Sequence, residues 1–590
     1  MAGALHPPAP TGSKVALAVL VALVILSPWP FGSVHLRTTQ AIALVSLATA
    51  LGAFLWDGWR GLLRLPPRQL LWPLLGLWAL AVFQLIPLPP PLHHWIARGS
   101  AAVWHPDVPA AAAVLGPGPH PISLYPEATR RWLAFATGLV ALALAAAPAL
   151  RERRSQLRAS IAIVTGAVLL SVYGFFARVA FGDKLFGAWT VPTIAPFGPF
   201  VSKNHFAGYV ELAALLAVGL AAGLADEARH GEGGLSWIDS HRAKWVVLAW
   251  GAALVLVLAV PVSLSRGGVV SLTAGLACLV LLQVWARKGS RLSARALVGV
   301  LAGLGAAGLL LVAVVPTEAR DRVLTLAGIT SDRSGSYRLS LWGDTLRLAA
   351  SSPAIGSGFA AYEDALPRFK TTAGSFRVQH AENDHLELLA EGGLLAALLG
   401  AATALALLLL GLKALRTTDH RLARSLLVAT LAGGAAVYVH AAFDFNLRIP
   451  SNALMASFLA AFCISLVLPA PEPTTAQTRS LQWLARAFVL AFSFYAALAT
   501  PWSEPRWDPA TLARATSPAR TELRRSALES DVAAFLKRRP SQAAAWVHLG
   551  WLRLPASRER GSALARWGLA LDPQHEDLAR ASAPLLDPGR

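Results

Sequence analysis

Apolar runs long enough to cross a membrane recur along almost the whole chain. An α-helix needs about 20 apolar residues to cross a hydrocarbon core of ~30 Å. This spacing predicts an all-α, polytopic membrane helix bundle with about 12–13 transmembrane helices. The first run meets Pro28, Trp29 and Pro30 rather than a small-residue cleavage site, so we interpret it as a retained span. The runs are 15–33, 38–56, 69–88, 130–149, 159–181, 204–225, 244–264, 268–286, 296–316, 386–412, 425–442, 451–469 and 483–500.

The composition excludes most soluble classes of protein. Hydrophobic residues make up 55% of the 590 residues and charged residues 14%, against roughly 25% charged in a typical soluble domain. The net charge of +19 would suit a nucleic-acid partner if the basic residues formed one face. They lie instead in short loops between apolar runs, so we expect no nucleic-acid binding. Cys278 and Cys463 lie inside apolar runs and predict neither a metal site nor a disulfide.

The basic residues also predict the orientation of the spans. Alternate loops are rich in arginine and lysine, and the positive-inside rule places them in the cytoplasm. The segments 89–129, 182–203 and 317–385 then face outward, as does the tail after about residue 501. The arginine- and lysine-rich loops contain Arg60, Arg64, Arg68, Arg151, Arg153, Arg154, Arg158, Arg229, Arg242, Lys244, Arg287, Lys288, Arg291, Arg295, Lys413, Arg416, Arg421 and Arg424.

Two domains follow from this pattern. Residues 1–500 form a transmembrane domain that includes the outward loop 317–385, and residues 501–590 form a soluble helical tail. Within the tail, residues 540–581 resemble a tetratricopeptide-type helical hairpin. A solvent-exposed helical appendage fits the same pattern equally well. A repeat-like tail would suggest a protein partner.

Ionisable residues gather at the outward ends of the spans, which is typical of a functional site in a helix bundle. Arg266 lies in a very tight connection, SLSRGG, between two apolar helices. One interpretation is a side chain that reaches the lipid headgroups. The other is a fixed guanidinium that binds phosphate through its planar fork.

A second polar group lies in the segment HAENDHLELLAE. If this segment is helical, His380, Asp384, Glu387 and Glu391 lie on one face at the start of a span. An amphipathic interfacial helix would explain that stripe. A functional interpretation makes His380 a proton acceptor that a carboxylate orients. No His-x3-His pair accompanies it, so we predict no metal.

Five blocks in order resemble the bacterial O-antigen ligase and O-antigen polymerase (Wzy-type) family. They are GPFVSKNHFAGYVEL, SLSRGG, YRLSLWGDTLRLAASSPAIGSGFAAY, VQHAENDHLELLAEGG and VHAAFDFNLRIPSNA, and PISLYPEATRRWL precedes them. The resemblance spans about residues 120–460. It implies a GT-C-like membrane glycosyltransferase of the bacterial inner membrane, with its active site facing the periplasm.

In that family the donor is a glycan on an undecaprenyl-pyrophosphate carrier. The acceptor is a glycan, lipid A-core or a protein hydroxyl, and the chemistry is inverting and independent of metals and cofactors. The resemblance therefore implies these partners, and membrane lipids, for this chain. Ligases and polymerases share these blocks.

The resemblance also assigns roles to individual residues. Arg266 and Arg338 match family arginines and imply binding of the pyrophosphate, with Lys203 assisting. His380 matches the family histidine and is the candidate base. Many members have a second histidine where this chain has Glu382, so Glu382 or His385 remains an alternative base. Supporting residues are predicted at His205, Asn383, Asp384, Glu387, Asp444 and Arg448.

Two other classes of function compete with a transferase. A transporter or flippase for lipid-linked glycans would show internal repeats and ionisable groups near the bilayer midplane. The sequence shows no such repeat. A scaffolding membrane protein would leave Arg266 and the 380–391 stripe unexplained.

Overall fold

The fold is built from α-helices. The structure is a computed structural model that describes residues 9–59, 66–191, 195–232, 241–286, 333–468, 476–500 and 522–586. In these ranges the only strands are the two-residue pair β1 (Lys184–Leu185) and β2 (Trp189–Thr190). The helices up to residue 286 are α1 (Thr11–Leu26), α2 (Leu36–Trp59), α3 (Arg68–Phe83), α4 (Pro90–Ile96), α5 (Arg98–Trp104), α6 (Pro109–Leu115), α7 (Pro126–Ala146), α8 (Arg153–Phe181), α9 (Lys203–Glu232), α10 (His241–Val262) and α11 (Arg266–Trp285).

The remaining helices begin at Arg333. They are α12 (Arg333–Ser351), α13 (Tyr362–Ala365), α14 (Asp384–Thr417), α15 (Arg421–His440), α16 (Pro450–Val467), α17 (Ala476–Leu498), α18 (Glu522–Leu536), α19 (Ala543–Arg553), α20 (Arg558–Leu571) and α21 (Glu576–Leu586). Short 3₁₀ turns occupy Phe31–Ser33, Ala147–Arg151, Leu366–Phe369 and Asn446–Arg448.

Among the described residues, nine helices are long and apolar enough to cross a membrane. Three shorter apolar helices, Thr11–Leu26, Arg68–Phe83 and Arg486–Leu498, match three further predicted runs. The run at 296–316, the basic residues Arg60, Arg64, Arg287, Lys288, Arg291 and Arg295, and the start of the tail at 501–521 lie outside the described residues. The predicted all-α membrane bundle is confirmed. The predicted orientation and the division at residue 500 stay predictions.

The chain forms two compact units. Unit 1 comprises residues 1–72, 134–328 and 402–497, and unit 2 comprises 73–133, 329–401 and 498–590. In unit 1, α9 is the most deeply buried candidate span, because 83% of its apolar 18-residue stretch is buried. Small residues allow close approach of neighbouring helices: a Cβ on Gly219 would lie 2.4 Å from Ala429 Cβ. Such small-residue contacts are how membrane helices pack, because lipid tails supply no hydrophobic driving force between helices.

Unit 2 has its own hydrophobic core. Short helices α5 and α6, helix α12 and the C-terminal helices α18–α21 contribute to it, with Trp104, Trp546 and Leu366 almost fully buried. Helices α19 and α20 pack closely, since a Cβ on Gly550 would lie 2.6 Å from the Gly561 carbonyl oxygen. The C-terminal tail is therefore a packed part of unit 2. Its similarity to a tetratricopeptide hairpin stays a prediction.

Candidate functional site

In unit 2, the start of α14 carries the polar segment singled out in the sequence. Asn383 is the residue before the helix, and its side-chain oxygen accepts hydrogen bonds from the backbone N–H groups of His385 and Leu386, both at 3.0 Å. This is N-capping, which satisfies backbone donors that have no partner within the helix. The role of Asn383 is therefore to cap the amino end of α14. Asp384 is the first residue of the helix and is buried.

His380 lies before this helix, in irregular backbone. The conditional prediction of one helical stripe from 380 to 391 is therefore wrong, because the cap at Asn383 starts the helix and Glu382 has a positive φ of 54°. Glu387 nevertheless reaches back from the first turn. Its carboxylate accepts the backbone N–H of Ala381 at 2.8 Å and contacts His380 Nδ1 at 2.9 Å. His380 therefore pairs with a carboxylate, as predicted, although His380 lies outside the helix that carries Glu387.

The His380–Glu387 pair has the geometry of an oriented base. Glu387 is 1% exposed and His380 is 30% exposed. A buried carboxylate on Nδ1 favours the tautomer with the proton on that nitrogen, so the imidazole lone pair lies on Nε2. Nε2 is then the nitrogen that can take a proton.

Glu382 points to a different partner. Its carboxylate pairs with Arg338 from α12 at 3.0 Å, and both side chains are 28% exposed. One turn further along α12, the indole N–H of Trp342 donates to the Ala381 carbonyl at 3.1 Å. Burial, with the nearby carboxylates of Glu382 and Asp344, raises the pKa of the Tyr337 hydroxyl, which therefore stays protonated at neutral pH. Helix α12 thus holds the backbone around His380 and places Arg338 beside it.

In unit 1, Arg266 is the first residue of α11, after a three-residue connection from α10. Ser265 caps α11: its hydroxyl accepts from Gly268 N–H at 3.1 Å and donates to the Asn204 side chain at 2.9 Å. Leu264 has a positive φ of 62°, which makes the turn sharp. The half-buried Arg266 is therefore fixed at the amino end of a helix, next to the start of α9.

The other predicted residues of unit 1 lie around the same helix ends. Lys203 is the first residue of α9, and His205 is one residue past Asn204. His205 Nε2 lies 3.4 Å from an Asp444 oxygen, and the His205 ring packs edge-on against Phe445. Arg448 ends the 3₁₀ turn that follows Asp444. Unit 1 thus brings together Lys203, His205, Arg266, Asp444 and Arg448.

One buried group was not predicted as part of a site. Glu211 of α9 contacts His440 Nδ1 at 3.0 Å and accepts from the Ser271 hydroxyl at 2.5 Å, and both ionisable side chains are 1% exposed. A Cβ on Gly267 would lie 3.3 Å from His440 Nε2, so the pair directly supports the turn that carries Arg266. The sequence signal was an acidic residue about two turns inside an apolar helix.

The predicted site residues therefore form two clusters. Unit 2 holds Arg338, His380, Glu382, Asn383, Asp384 and Glu387, and unit 1 holds the five residues described above. In the ranges that the structure describes, no group of three or more His, Cys, Asp and Glu side chains has an arrangement that suits a metal ion.

Comparison with known proteins supplies the family. Residues 251–401 match the model of a family described as O-antigen ligase. The matched segment contains Arg266, Arg338, His380 and Glu387, whereas Lys203 and Arg448 lie outside it. No curated protein matches the chain. The resemblance seen in the sequence motifs is thus confirmed, and residues 251–401 of this chain are similar to the O-antigen ligase family.

Proposed function

We propose that this protein transfers a glycan from an undecaprenyl-pyrophosphate carrier to an acceptor hydroxyl at the periplasmic face of the bacterial inner membrane. The match to the O-antigen ligase family supports glycan transfer by a membrane protein. The observation that carries the proposal within the matched segment is the contact between His380 and Glu387.

The reaction needs a base for the acceptor and positive charge for the leaving group. The acceptor oxygen forms a bond to the anomeric carbon while the bond from that carbon to the pyrophosphate oxygen breaks on the opposite face. The configuration therefore inverts. The hydroxyl proton passes to the base, and the bonding electrons leave with the pyrophosphate.

We assign the base to His380. Its lone pair lies on Nε2 when Nδ1 donates to Glu387, and the buried carboxylate stabilises the imidazolium that forms when Nε2 takes the proton. Glu387 acts through His380 and is a positioning residue. Asn383 and Asp384 start the helix that holds Glu387 in place.

We assign Glu382 to the positioning of Arg338. A carboxylate that is already paired with a guanidinium is a weaker base, because the opposite charge favours its ionised form. Glu382 stands where many family members have a histidine, and the pair with Arg338 explains how an acidic residue is accommodated there.

The pyrophosphate is assigned to Arg266, Arg338 and Lys203. Preorganised cations stabilise the charge that develops on the leaving group, without a metal in this mechanism. His205, Asp444 and Arg448 support the helix ends around Lys203 and Arg266.

The test is glycan transfer by the purified full chain in detergent, with a lipid-linked oligosaccharide donor. A positioned base is typically worth about 10²–10⁴ in rate, so His380→Ala should cut turnover by that factor and leave donor binding intact. Glu387→Gln should lower turnover less and shift the pH profile, because it changes the orientation and basicity of His380. Glu382→Gln tests the alternative base, because it removes the other carboxylate of this segment and keeps the size of the side chain.

Two results would contradict the assignment. If Glu382→Gln abolishes transfer and His380→Ala does not, the base is Glu382. If EDTA alone stops the purified enzyme, the metal-independent mechanism is wrong. The glycan phenotype of a gene deletion separates the two family activities: single attached units indicate a polymerase, and free lipid-linked polymer indicates a ligase.

A further inference from the structure

Unit 2 contains a cavity of about 450 Å³ that none of the assigned residues lines. Its size lies within the range of about 300–1,000 Å³ that is usual for ligand sites. Three distant parts of the chain meet there: the segment 94–108, the 3₁₀ turn Leu366–Phe369, and helix α20 of the tail. The polar and aromatic lining consists of His94, Arg98, His105, Asp107, Arg368 and Trp567.

The charged groups of this lining form no ion pairs within the described part of the chain. Arg98 and Asp107 are exposed and have no ion-pair partner among the described residues. Arg368 donates to the Gly99 carbonyl at 3.0 Å but pairs with no carboxylate in the described chain. Burial lowers the pKa of Arg368, which nevertheless stays charged, since an arginine is effectively always protonated in proteins. Two guanidinium groups and one carboxylate therefore face one open space.

The histidines of the lining belong to a cluster of neighbouring imidazole rings, and His105 is neutral at pH 7. The ring centroids of His105 lie 5.5 Å from those of His94 and 5.1 Å from those of His120. Burial, followed by the neighbouring His120 and His94, lowers the pKa of His105 to about 4. A neutral imidazole offers one donor and one acceptor, which suits hydroxyl groups rather than a second anion.

The aromatic wall adds a flat apolar face. Trp567 of α20 is half-buried at the cavity. Its indole nitrogen and His105 Nε2 are both buried and have no hydrogen-bond partner in the described part of the chain.

We propose that this cavity binds an anionic saccharide, with its acidic group on Arg98 and Arg368, its hydroxyls on Asp107 and the histidines, and its ring against Trp567. A guanidinium fork matches a carboxylate or phosphate, and an aspartate accepts hydroxyl donors. A small inorganic anion would meet the repulsion of Asp107 and would leave the indole face bare. The mixed lining therefore favours a sugar that carries the charge.

The test is binding of defined probes to the purified full chain in detergent, by isothermal titration calorimetry. The probes are tetragalacturonate, the neutral maltotetraose, and inorganic phosphate. We expect tetragalacturonate to bind, with the other two at least tenfold weaker. Arg98→Gln should weaken binding tenfold or more, because it removes a charge from an exposed position without disturbing the core.

Two further variants keep the test independent of folding. Ala102 lines the cavity, so Ala102→Trp should block it, and Trp567→Leu should remove the stacking face. Arg558→Gln is the matched control, because Arg558 is an exposed arginine on the same helix as Trp567 but not in the lining. Binding in that variant should equal that of the wild type.

The proposal is overturned if tetragalacturonate does not bind, if maltotetraose binds equally well, or if Arg98→Gln and Ala102→Trp both bind like the wild type. Phosphate that binds as tightly as the saccharide and competes with it would make the cavity an anion site only. The His380→Ala variant should lose transfer activity but still bind tetragalacturonate. This result would distinguish failure of the proposed function from failure of the cavity proposal.

Discussion

The buried ion pair between Arg539 and Asp364 provides the sharpest test of how the tail contributes to unit 2. The Arg539 guanidinium donates to both Asp364 oxygens, at 3.2 and 2.7 Å, and the two side chains are 2% and 1% exposed. It also lies 3.9 Å from the ring centroid of Tyr125. The tail and the segment after α12 are thus joined by a charged pair that water does not reach.

The magnitude follows from what Arg539→Ala leaves behind. Ser541 and Gln542 still contact Asp364, but neither side chain carries a charge that replaces the guanidinium. Removing one partner of a buried pair costs about 3–5 kcal/mol in the free energy of unfolding. For a unit of roughly 150–250 residues, about 2–4 °C per kcal/mol gives a thermal midpoint lowered by about 6–20 °C.

The adjacent residue Arg538 is the matched control. Its side chain is 54% exposed and lies 3.8 Å from Glu127, so Arg538→Ala should cost less than about 1 kcal/mol. The assay is thermal unfolding of the full chain in detergent, together with the rate of trypsin cleavage after Lys370 and Arg377. Both sites lie in the segment that the tail contacts, where Gly374 N–H donates to the Gln574 carbonyl at 3.0 Å.

A double variant completes the test. Asp364→Ala with Arg539→Ala removes both charges, so it should be less harmful than the sum of the single changes. Equal thermal shifts for Arg539→Ala and Arg538→Ala, or unchanged trypsin cleavage, would refute the idea that the buried pair fixes the tail to this segment.

Three further predictions concern other parts of the molecule. Arg266→Lys should impair glycan transfer nearly as much as Arg266→Ala at normal protein level, because a point charge does not reproduce the guanidinium fork; full transfer by the lysine variant would make Arg266 a topology residue. Glu211→Ala should lower the amount of folded protein in the membrane, on an immunoblot, by more than Ser271→Ala, because it removes the buried carboxylate that contacts both His440 and Ser271. Burial, helped by the neighbouring histidines, lowers the pKa of His93 from 6.5 to about 3. The unfolded chain then binds the extra proton below pH 6.5, so stability falls as the pH falls, by up to about 2 kcal/mol at pH 5 from this residue; His93→Gln should flatten the decrease of the thermal midpoint between pH 7 and 5, and an unchanged slope would contradict the burial argument.

The sequence alone determined the fold class and the identity of the candidate residues. Apolar runs of bilayer length leave only helices as spanning elements, since backbone polar groups find no partners in hydrocarbon. The sequence also predicted the tight connection at Arg266, because Ser265 and Gly267-Gly268 leave almost no loop between two apolar runs. The family motifs also identified Arg338 and His380 as members of successive blocks.

Only the tertiary structure decided which residues contact one another. Glu387 reaches His380 because Asn383 ends the irregular segment and starts α14, and Glu382 turns to Arg338 because of its positive φ. Neither contact follows the helical spacing that the sequence suggested. The Glu211–His440 pair joins residues 229 positions apart, and the cavity at Trp567 joins the tail to two distant segments that contain Arg98 and Arg368. Periodicity reports the faces of one helix, whereas contacts between distant segments depend on how the helices pack.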